Sequence, residues 1–183
     1  MRSKKYLHYL LVVLIISGCG EIVHYVDTNP TLSPDKGYVY GLFSVEEENS
    51  INIGLVLENT ETKKEYTIKF IGARSIYAIA ITPGTYKITK IVFSKQFGMR
   101  EGEQDITKLK KISKEFTVKK GNAYYIGDFY SDTHNFNIGA GTTLYWRVKD
   151  IRYNFEDTTK KFIQQNPRFE KVNTIPAFDF AQE

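Results

Sequence analysis

Alternation of apolar and polar residues along several stretches restricts the fold of this chain more than any other feature. In the clearest stretch, Ile51 to Leu57, every second residue is Ile or Leu. Tyr66, Ile68 and Phe70 alternate with polar neighbours in the same way, and the polar residues 59–64 separate the two stretches. Because successive side chains of a β-strand point to opposite faces, the pattern predicts two strands joined as a hairpin.

Further strands are predicted at short intervals up to about residue 155. Tyr38 to Val45 is apolar on both faces, which predicts a central strand. A change of parity between Val148 and Ile151 predicts a β-bulge near Lys149-Asp150. The other candidates are Ser75–Ile81, Thr85–Phe93, Phe116–Val118 and Ala123–Tyr130. We therefore predict an all-β fold, an antiparallel β-sandwich of about eight strands that is immunoglobulin-like or transthyretin-like.

One short helix is predicted near the C-terminus. It covers Thr158 to Gln165, with Asp157 as its cap and Pro167 as its stop. Phe162 and Ile163 are its packing residues. It is too short to be stable alone, so we expect it to pack on the strands.

The N-terminal segment has the composition of an export signal. The basic segment Arg2–Lys5 precedes an apolar stretch from Tyr9 to Ile16, and small Ser17 and Gly18 follow. The stretch is shorter than the roughly 20 apolar residues that a spanning helix needs. The alternative is a buried N-terminal helix with a core cysteine, which would have to bury the leading cations.

Cys19 is the only cysteine of the sequence, and the run Ile16-Ser17-Gly18-Cys19 resembles the lipobox of bacterial lipoproteins. The resemblance implies that the sulfur of Cys19 takes a diacylglycerol, that the leader is cut before it, and that the new N-terminus is acylated with a fatty acid such as palmitate. Several acyl chains hold a protein stably on a membrane. Gly20 and Glu21 follow, with no Asp at the second position, which in that family implies the outer membrane.

Two segments of the domain carry a second resemblance. Ile81 to Ile88, with Pro83-Gly84 between two strands, resembles the turn of transthyretin-like and carboxypeptidase-regulatory-like sandwiches, and the Pro-Gly pair favours a type II turn. Lys120 to Phe129 resembles the later hairpin of some uncharacterised bacterial lipoproteins. The resemblance implies a binding or accessory role and no catalytic residue.

Charge and cysteine content exclude several functions. Without residues 1–18, 22 Lys and Arg face 21 Asp and Glu, so the pI near 8.9 does not indicate nucleic-acid binding. An acylated Cys19 leaves no thiol for a disulfide, a metal site or a nucleophile. Phosphate loops, dinucleotide fingerprints and hydrolase elbows are missing from the sequence. We expect no cofactor and no nucleic-acid partner.

Asp128, Asp132 and His134 are the candidates for a metal site. If one strand runs through all three, period two places them on one face, where two carboxylates and an imidazole suit a divalent cation. The alternative is a strand that ends before Asp132 and continues as a solvated polar loop. We therefore assign no metal.

Two segments are candidates for binding a partner. Phe97, Met99 and Arg100 lie at the centre of the long connection 94–113, which is either a binding element or disordered. Tyr145 and Arg147 alternate with apolar residues on the last predicted strand, which suits a protein or glycan surface or an ordinary solvent-exposed face.

Together these patterns predict a non-enzymatic, membrane-anchored lipoprotein of the cell envelope that presents a β-sandwich as a binding or assembly module to an envelope protein or glycan. The alternative is an envelope metal-assisted hydrolase that uses Asp128, Asp132 and His134. The predicted organisation is a leader at 1–18, a lipidated N-terminus and tether at 19–36, the β-sandwich domain with its helix at 37–168, and a loose tail at 169–183. The aromatic residues of the tail leave open that it lies across the domain.

Overall fold

The computed structural model describes residues 29–45, 51–70, 74–95, 102–106, 112–138 and 141–179. Strands dominate these residues, as the all-β prediction requires, and one α-helix accompanies them. The strands are β1 Gly37–Val45, β2 Ile51–Asn59, β3 Glu65–Phe70, β4 Arg74–Ile81, β5 Gly84–Lys95, β6 Gly102–Asp105, β7 Phe116–Val118, β8 Asn122–Ile138, β9 Gly141–Arg152 and β10 Asn173–Pro176. The helix is α1 Phe155–Gln165, and a 3-10 turn follows at Pro167–Phe169.

The strands form two sheets. In the first sheet β1 lies between β4 and β8, and both β9 and β10 pair with the other side of β8. In the second sheet the order is β3-β2-β5-β6, and β7 also pairs with β5. The central position of β1 and the β2–β3 hairpin confirm two sequence predictions.

The first sheet is mixed, which corrects the prediction of antiparallel strands throughout. β8 runs parallel to both β1 and β10. The reason lies in the connections, because β4 leads into β5 and β7 leads into β8 by short turns that pass from one sheet to the other. The chain therefore returns to the first sheet at the end where β1 begins, and β8 runs in the same direction as β1.

The two inter-sheet turns reverse the chain, but they do not close hairpins. The first contains Pro83-Gly84, and Tyr86 after it is buried and donates a hydrogen bond to the carbonyl oxygen of Thr82 at 2.7 Å. At the second, Gly121 adopts a φ of 75°. A turn sequence indicates that the chain reverses. It does not show whether the two strands that it joins pair with each other or belong to different sheets.

A buried cluster lies between the sheets. Val39, Ile79 and Ile126 contribute to it from the first sheet, and Leu55 and Ile88 contribute from the second. Each of these side chains is at most 1% exposed. Burial of such side chains supplies the main driving force that holds the two sheets together.

A second cluster lies on the opposite face of the first sheet, where α1 and the 3-10 turn pack. Phe162 stacks on Tyr40 with ring centroids 4.3 Å apart, and Phe169 meets Tyr38 edge-on at 4.9 Å. The helix begins at Phe155, and Asn154 occupies the cap position that we predicted for Asp157. The predicted burial of Phe162 is confirmed.

Two bulges in the first sheet set which residues of β8 and β9 face which cluster. Lys149 is the extra residue of β9, because Tyr130 pairs with Asp150 and Ser131 pairs with Val148. This confirms the bulge predicted at Lys149-Asp150. The sequence did not indicate a second bulge in β8 between Tyr125 and Asp128, where Gly127 has a φ of 122°.

The ends of the described chain are held against the domain. At the start, Pro30 is buried and the Ser33 amide donates to the Tyr38 hydroxyl at 2.5 Å, so residues 29–36 of the predicted tether pack on the domain. At the other end, β10 pairs with β8 and Phe178 is 4% exposed. Residues 169–179 are thus laid across the domain rather than loose.

The long connection 94–113 is also more regular than expected. β5 continues to Lys95, and β6 pairs with it over residues 102–105. Ile106 and Ile112 are fully buried in the cluster between the sheets. Residues 96–101 and 107–111 lie outside the described residues.

Candidate functional site

The residues predicted to serve lipidation and partner binding fall in two settings. Several lie outside the described residues, namely Cys19, Phe97, Met99 and Arg100. Tyr145 and Arg147 lie in β9, where the register places them opposite His134 and Asp132 of β8. The β8–β9 pair therefore brings the predicted partner-binding and metal-binding positions side by side.

β8 runs without interruption through all three metal candidates, from Asn122 to Ile138. The alternative in which the strand ends before Asp132 is therefore wrong. The bulge at Gly127 turns the Asp128 side chain toward the face that carries Tyr125 and the helix.

The carboxyl group of Asp128 is enclosed by the protein. The residue is 2% exposed. Its Oδ1 accepts hydrogen bonds from the Tyr125 hydroxyl at 2.8 Å and the Thr158 hydroxyl at 2.9 Å. Its Oδ2 accepts from the Asn154 side-chain amide at 2.9 Å, and the Thr158 hydroxyl lies 3.1 Å from it. Buried polar groups need such partners, and this carboxyl group has them on both oxygens.

Local sequence explains how the donors converge. β9 ends at Arg152, and the chain turns into α1 through Tyr153 and Asn154. The Asn154 amide reaches Asp128 instead of capping its own helix, and the Asn154 backbone N–H donates to the Tyr125 hydroxyl at 3.1 Å. Thr158 lies one turn into the helix and faces the sheet. Asp128 therefore fixes the start of α1 to the centre of β8.

Two buried tyrosines extend this network. Burial raises the pKa of the Tyr125 hydroxyl well above its ordinary value, and the neighbouring Asp128 raises it further. Burial likewise raises the pKa of Tyr40, whose hydroxyl lies 2.6 Å from the Thr159 hydroxyl. Both groups favour the neutral phenol, since a phenolate would lose its hydration. They therefore act as structural hydrogen-bond partners.

A separate polar group faces solvent at the end of β9. The Arg152 guanidinium lies over the ring of Tyr130, 4.4 Å from its centroid, and donates to Asp150 Oδ2 at 2.6 Å. The hydrogen bond to Asp150 raises the pKa of Arg152. Tyr153 beside it is 46% exposed. Exposed aromatic and guanidinium groups of this kind suit planar polar ligands or protein surfaces.

The chemistry available to Asp128 is limited by its neighbours. Both oxygens are already bonded to protein donors, and a cation would have to displace them. Among the residues whose positions are described, no three His, Cys, Asp or Glu side chains come together as a metal site. A site that involves Asp132 and His134 stays a prediction, because the side chains of those two residues are not described.

Sequence reasoning selected Asp128 but missed Asn154, Thr158 and Tyr125 as its partners. The available signal was a group of short polar residues near the start of the helix, Asn154, Asp157, Thr158 and Thr159. Those residues read as ordinary capping groups. Only the packing of α1 on β8 identifies Asp128 as their acceptor.

Comparisons with known proteins place no family name on the chain. No protein-family model matches the sequence, and no curated protein matches it. Among solved structures, one match is a leucine-rich repeat protein from Bacteroides thetaiotaomicron VPI-5482, at 17% identity and a TM-score of 0.31. The match covers 54% of this chain and spans 14% of that protein, and at this score it supports no inference.

Within the parts of the chain that the structure describes, no helix is both long enough and apolar enough to cross a bilayer.

Proposed function

We propose that this protein is a lipid-anchored, non-enzymatic component of a bacterial cell envelope, at the outer membrane, that presents a folded β-domain to a partner. The observation that carries the proposal is the sequence Ile16-Ser17-Gly18-Cys19 after a basic and apolar leader, with Cys19 as the only cysteine of the chain. Several acyl chains at Cys19 would make dissociation negligible.

The presented domain is proposed to be a β-sandwich of the immunoglobulin-like or transthyretin-like kind, with α1 added on one outer face. Support comes from the buried cluster that the two sheets share. The parallel pairing of β1 with β8 sets it apart from a sandwich of antiparallel sheets. Such architectures carry many functions, so the fold itself assigns no ligand.

A binding role is favoured over a metal-assisted hydrolase by the setting of Asp128. The hydrolase would require this carboxyl group as a ligand or base, and it is instead bonded to Tyr125, Asn154 and Thr158. We propose that the protein or glycan partner binds the exposed surface around Arg152 and Tyr153. Tyr145 and Arg147 lie earlier on β9, the strand that ends at Arg152.

Lipidation is tested by mass spectrometry of the protein isolated from its own membranes. We expect an N-terminal peptide that begins at Cys19 and carries a diacylglyceryl group and an amide-linked acyl chain. Cys19→Ala should retain the leader and carry no lipid. The matched control Ser17→Ala exchanges one small residue for another and should be processed normally. A chain that keeps residues 1–18 and a free thiol at Cys19 would refute the anchor.

The partner surface is tested by placing a photo-crosslinking amino acid at Tyr153 in intact cells. A matched control position is Gln164, which is exposed on α1. We expect a discrete crosslinked product from Tyr153 and none from Gln164. Equal crosslinking from both positions, or from neither, would contradict the assignment of this surface.

A further inference from the structure

The topology gathers several turns and the entry of the chain at one end of the domain. β1, β8 and β10 begin at this end and β4 ends there, since Gly37 pairs with Ile81 and Tyr38 pairs with Ala123. In the second sheet β5 begins and β2 ends there. We call this the basal end and define it as residues 29–36, 60–64, 82–84, 119–122 and 166–172.

Hydrogen bonds connect these segments to one another. The Gly121 amide donates to the Lys36 carbonyl oxygen at 2.8 Å, and the Thr60 amide donates to the Thr85 carbonyl oxygen at 2.9 Å. These bonds hold residues 119–122 to residues 29–36, and residues 60–64 to the start of β5.

Positive charge is concentrated on this surface. It carries seven basic residues against three acidic residues, a formal net charge of +4. The basic residues are Lys36, Lys63, Lys64, Lys119, Lys120, Arg168 and Lys171, and the acidic ones are Asp35, Glu61 and Glu170. All are exposed except the half-buried Lys36. Glu58 on β2 offsets part of this positive charge, because its Oε1 lies 3.2 Å from the Lys63 Nζ.

The described residues outside the basal end carry no net charge. They include 11 basic and 11 acidic residues, so the described part of the chain has its excess positive charge at the basal end. Such a distribution orients a protein at a charged surface.

The chain also enters the domain at the basal end. Arg168 donates a hydrogen bond to the Asn29 side chain, and Pro30 is buried. The nine residues 20–28 lie between this point and Cys19. Fully extended they reach at most roughly 33 Å, so the basal end is the part of the domain closest to the proposed lipid anchor along the chain.

We propose that the basal end is a docking surface for the anionic headgroups of the membrane that holds the lipid, so that the domain lies end-on against the bilayer. This inference rests on the proposed anchor at Cys19. Each basic residue near an anionic lipid surface strengthens association roughly fivefold. The anchor keeps the surface at high local concentration, so even a few such residues set the orientation.

The test uses the full acylated protein, purified from membranes and reconstituted into vesicles. A fluorophore is attached to Lys120→Cys at the basal end, or to Arg74→Cys at the far end of β4, about 23 Å away along the strand. Headgroup spin-labelled lipid acts as the quencher. In phosphatidylcholine vesicles that contain phosphatidylglycerol, we expect quenching at position 120 to exceed that at position 74 by roughly fivefold or more.

Electrostatic docking predicts how this difference changes. It should disappear in pure phosphatidylcholine vesicles and at about 1 M salt, where the Debye length falls to about 3 Å. Lys119→Glu with Lys171→Glu should reduce the quenching at position 120 to about that at position 74. The matched reversal of Lys149→Glu with Lys160→Glu changes net charge equally, lies outside the basal end, and should leave the quenching unchanged.

Failure of the inference and failure of the anchor give different results. If wild-type protein itself takes the thiol label, Cys19 is free and the proposed anchor is wrong. If wild-type protein takes no label but positions 74 and 120 are quenched equally, the anchor stands and end-on docking is overturned. Quenching at position 120 that is the same without anionic lipid would also overturn the electrostatic docking.

Discussion

At the scale of the residue, a buried carboxyl group needs hydrogen-bond donors, and Asp128 obtains them from three parts of the chain. Tyr125 lies on its own strand, Asn154 on the β9–α1 connection, and Thr158 on the helix. Hydrogen bonds to charged groups contribute more than neutral ones, and a donor left unpaired in the interior is destabilising. Asp128 is therefore expected to stabilise the attachment of the helix.

We predict that Asp128→Ala lowers the free energy of unfolding by about 3 kcal/mol, because it leaves the buried hydroxyls of Tyr125 and Thr158 without their acceptor. Asp128→Asn keeps the shape and should lower it by about 1–2 kcal/mol. The control Asp150→Asn removes an exposed carboxylate that pairs with Arg152 and should change it by less than about 1 kcal/mol. Urea unfolding followed by circular dichroism measures all three, and equal effects of Asp128→Ala and Asp150→Asn would contradict the role of Asp128.

The buried tyrosines predict a decline in stability at high pH. Burial raises the pKa of Tyr40 in the folded state, so the unfolded chain releases this proton first. The stabilisation is complete below about pH 10 and is lost as the pH rises, by roughly 1.4 kcal/mol per pH unit for each such group.

Tyr40→Phe should make that alkaline decline shallower by about this amount. The measurement is urea unfolding at a series of pH values above 9, read as a slope. Parallel slopes for wild type and Tyr40→Phe would show that Tyr40 ionises equally easily in both states.

At the scale of the element, α1 is held by aromatic packing more than by its own helix propensity. Its first turn contains the acidic residues Glu156 and Asp157, and no side chain caps its N-terminus. Phe162 is fully buried, stacks on Tyr40 and contacts Phe169 at 4.8 Å between ring centroids. A helix of 11 residues is marginally stable alone, so the stability of α1 depends on its packing against the first sheet.

We predict that Phe162→Ala lowers the free energy of unfolding by about 3–5 kcal/mol, through lost burial and a cavity between helix and sheet. Gln164→Ala, on the exposed side of the same helix, should change it by no more than about 0.5 kcal/mol. Thermal and urea unfolding measure the difference. A small effect of Phe162→Ala would mean that the helix contributes little to the domain.

At the scale of the whole molecule, the first sheet is shared by two buried clusters. Val39 of β1 faces the second sheet, while its neighbours Tyr38 and Tyr40 face the helix. In the same way Tyr124 and Tyr125 of β8 face opposite clusters. Neither cluster can lose its order without exposing the strands that serve the other, so the layers should unfold together.

We therefore predict a single unfolding transition in which near-UV and far-UV circular dichroism coincide. Leu55→Ala, between the sheets, and Phe162→Ala, beneath the helix, should each lower the midpoint for both signals equally. The expected loss is about 2–5 kcal/mol for Leu55→Ala. Loss of far-UV signal before near-UV signal would indicate that the helix layer unfolds on its own.

The sequence by itself determined the elements whose signal is local. The period-two alternation of Ile51–Leu57, the apolar run of β1 and the parity change at Lys149 each follow from the direction in which neighbouring side chains point. The burial of Phe162 was equally predictable from the helix pattern.

Only the tertiary structure decided which strands pair and what Asp128 does. The turns at Pro83-Gly84 and Gly121 looked the same in sequence whether they joined paired strands or crossed between sheets, so the parallel pairing of β1 and β8 was not predictable. Likewise Asp128 and Thr158 are 30 residues apart, and they meet because the bulge at Gly127 turns one toward the helix that carries the other. The period of the apolar residues indicates whether a side chain is buried or exposed. Which distant residue it contacts is decided by how the strands and the helix pack in the folded protein.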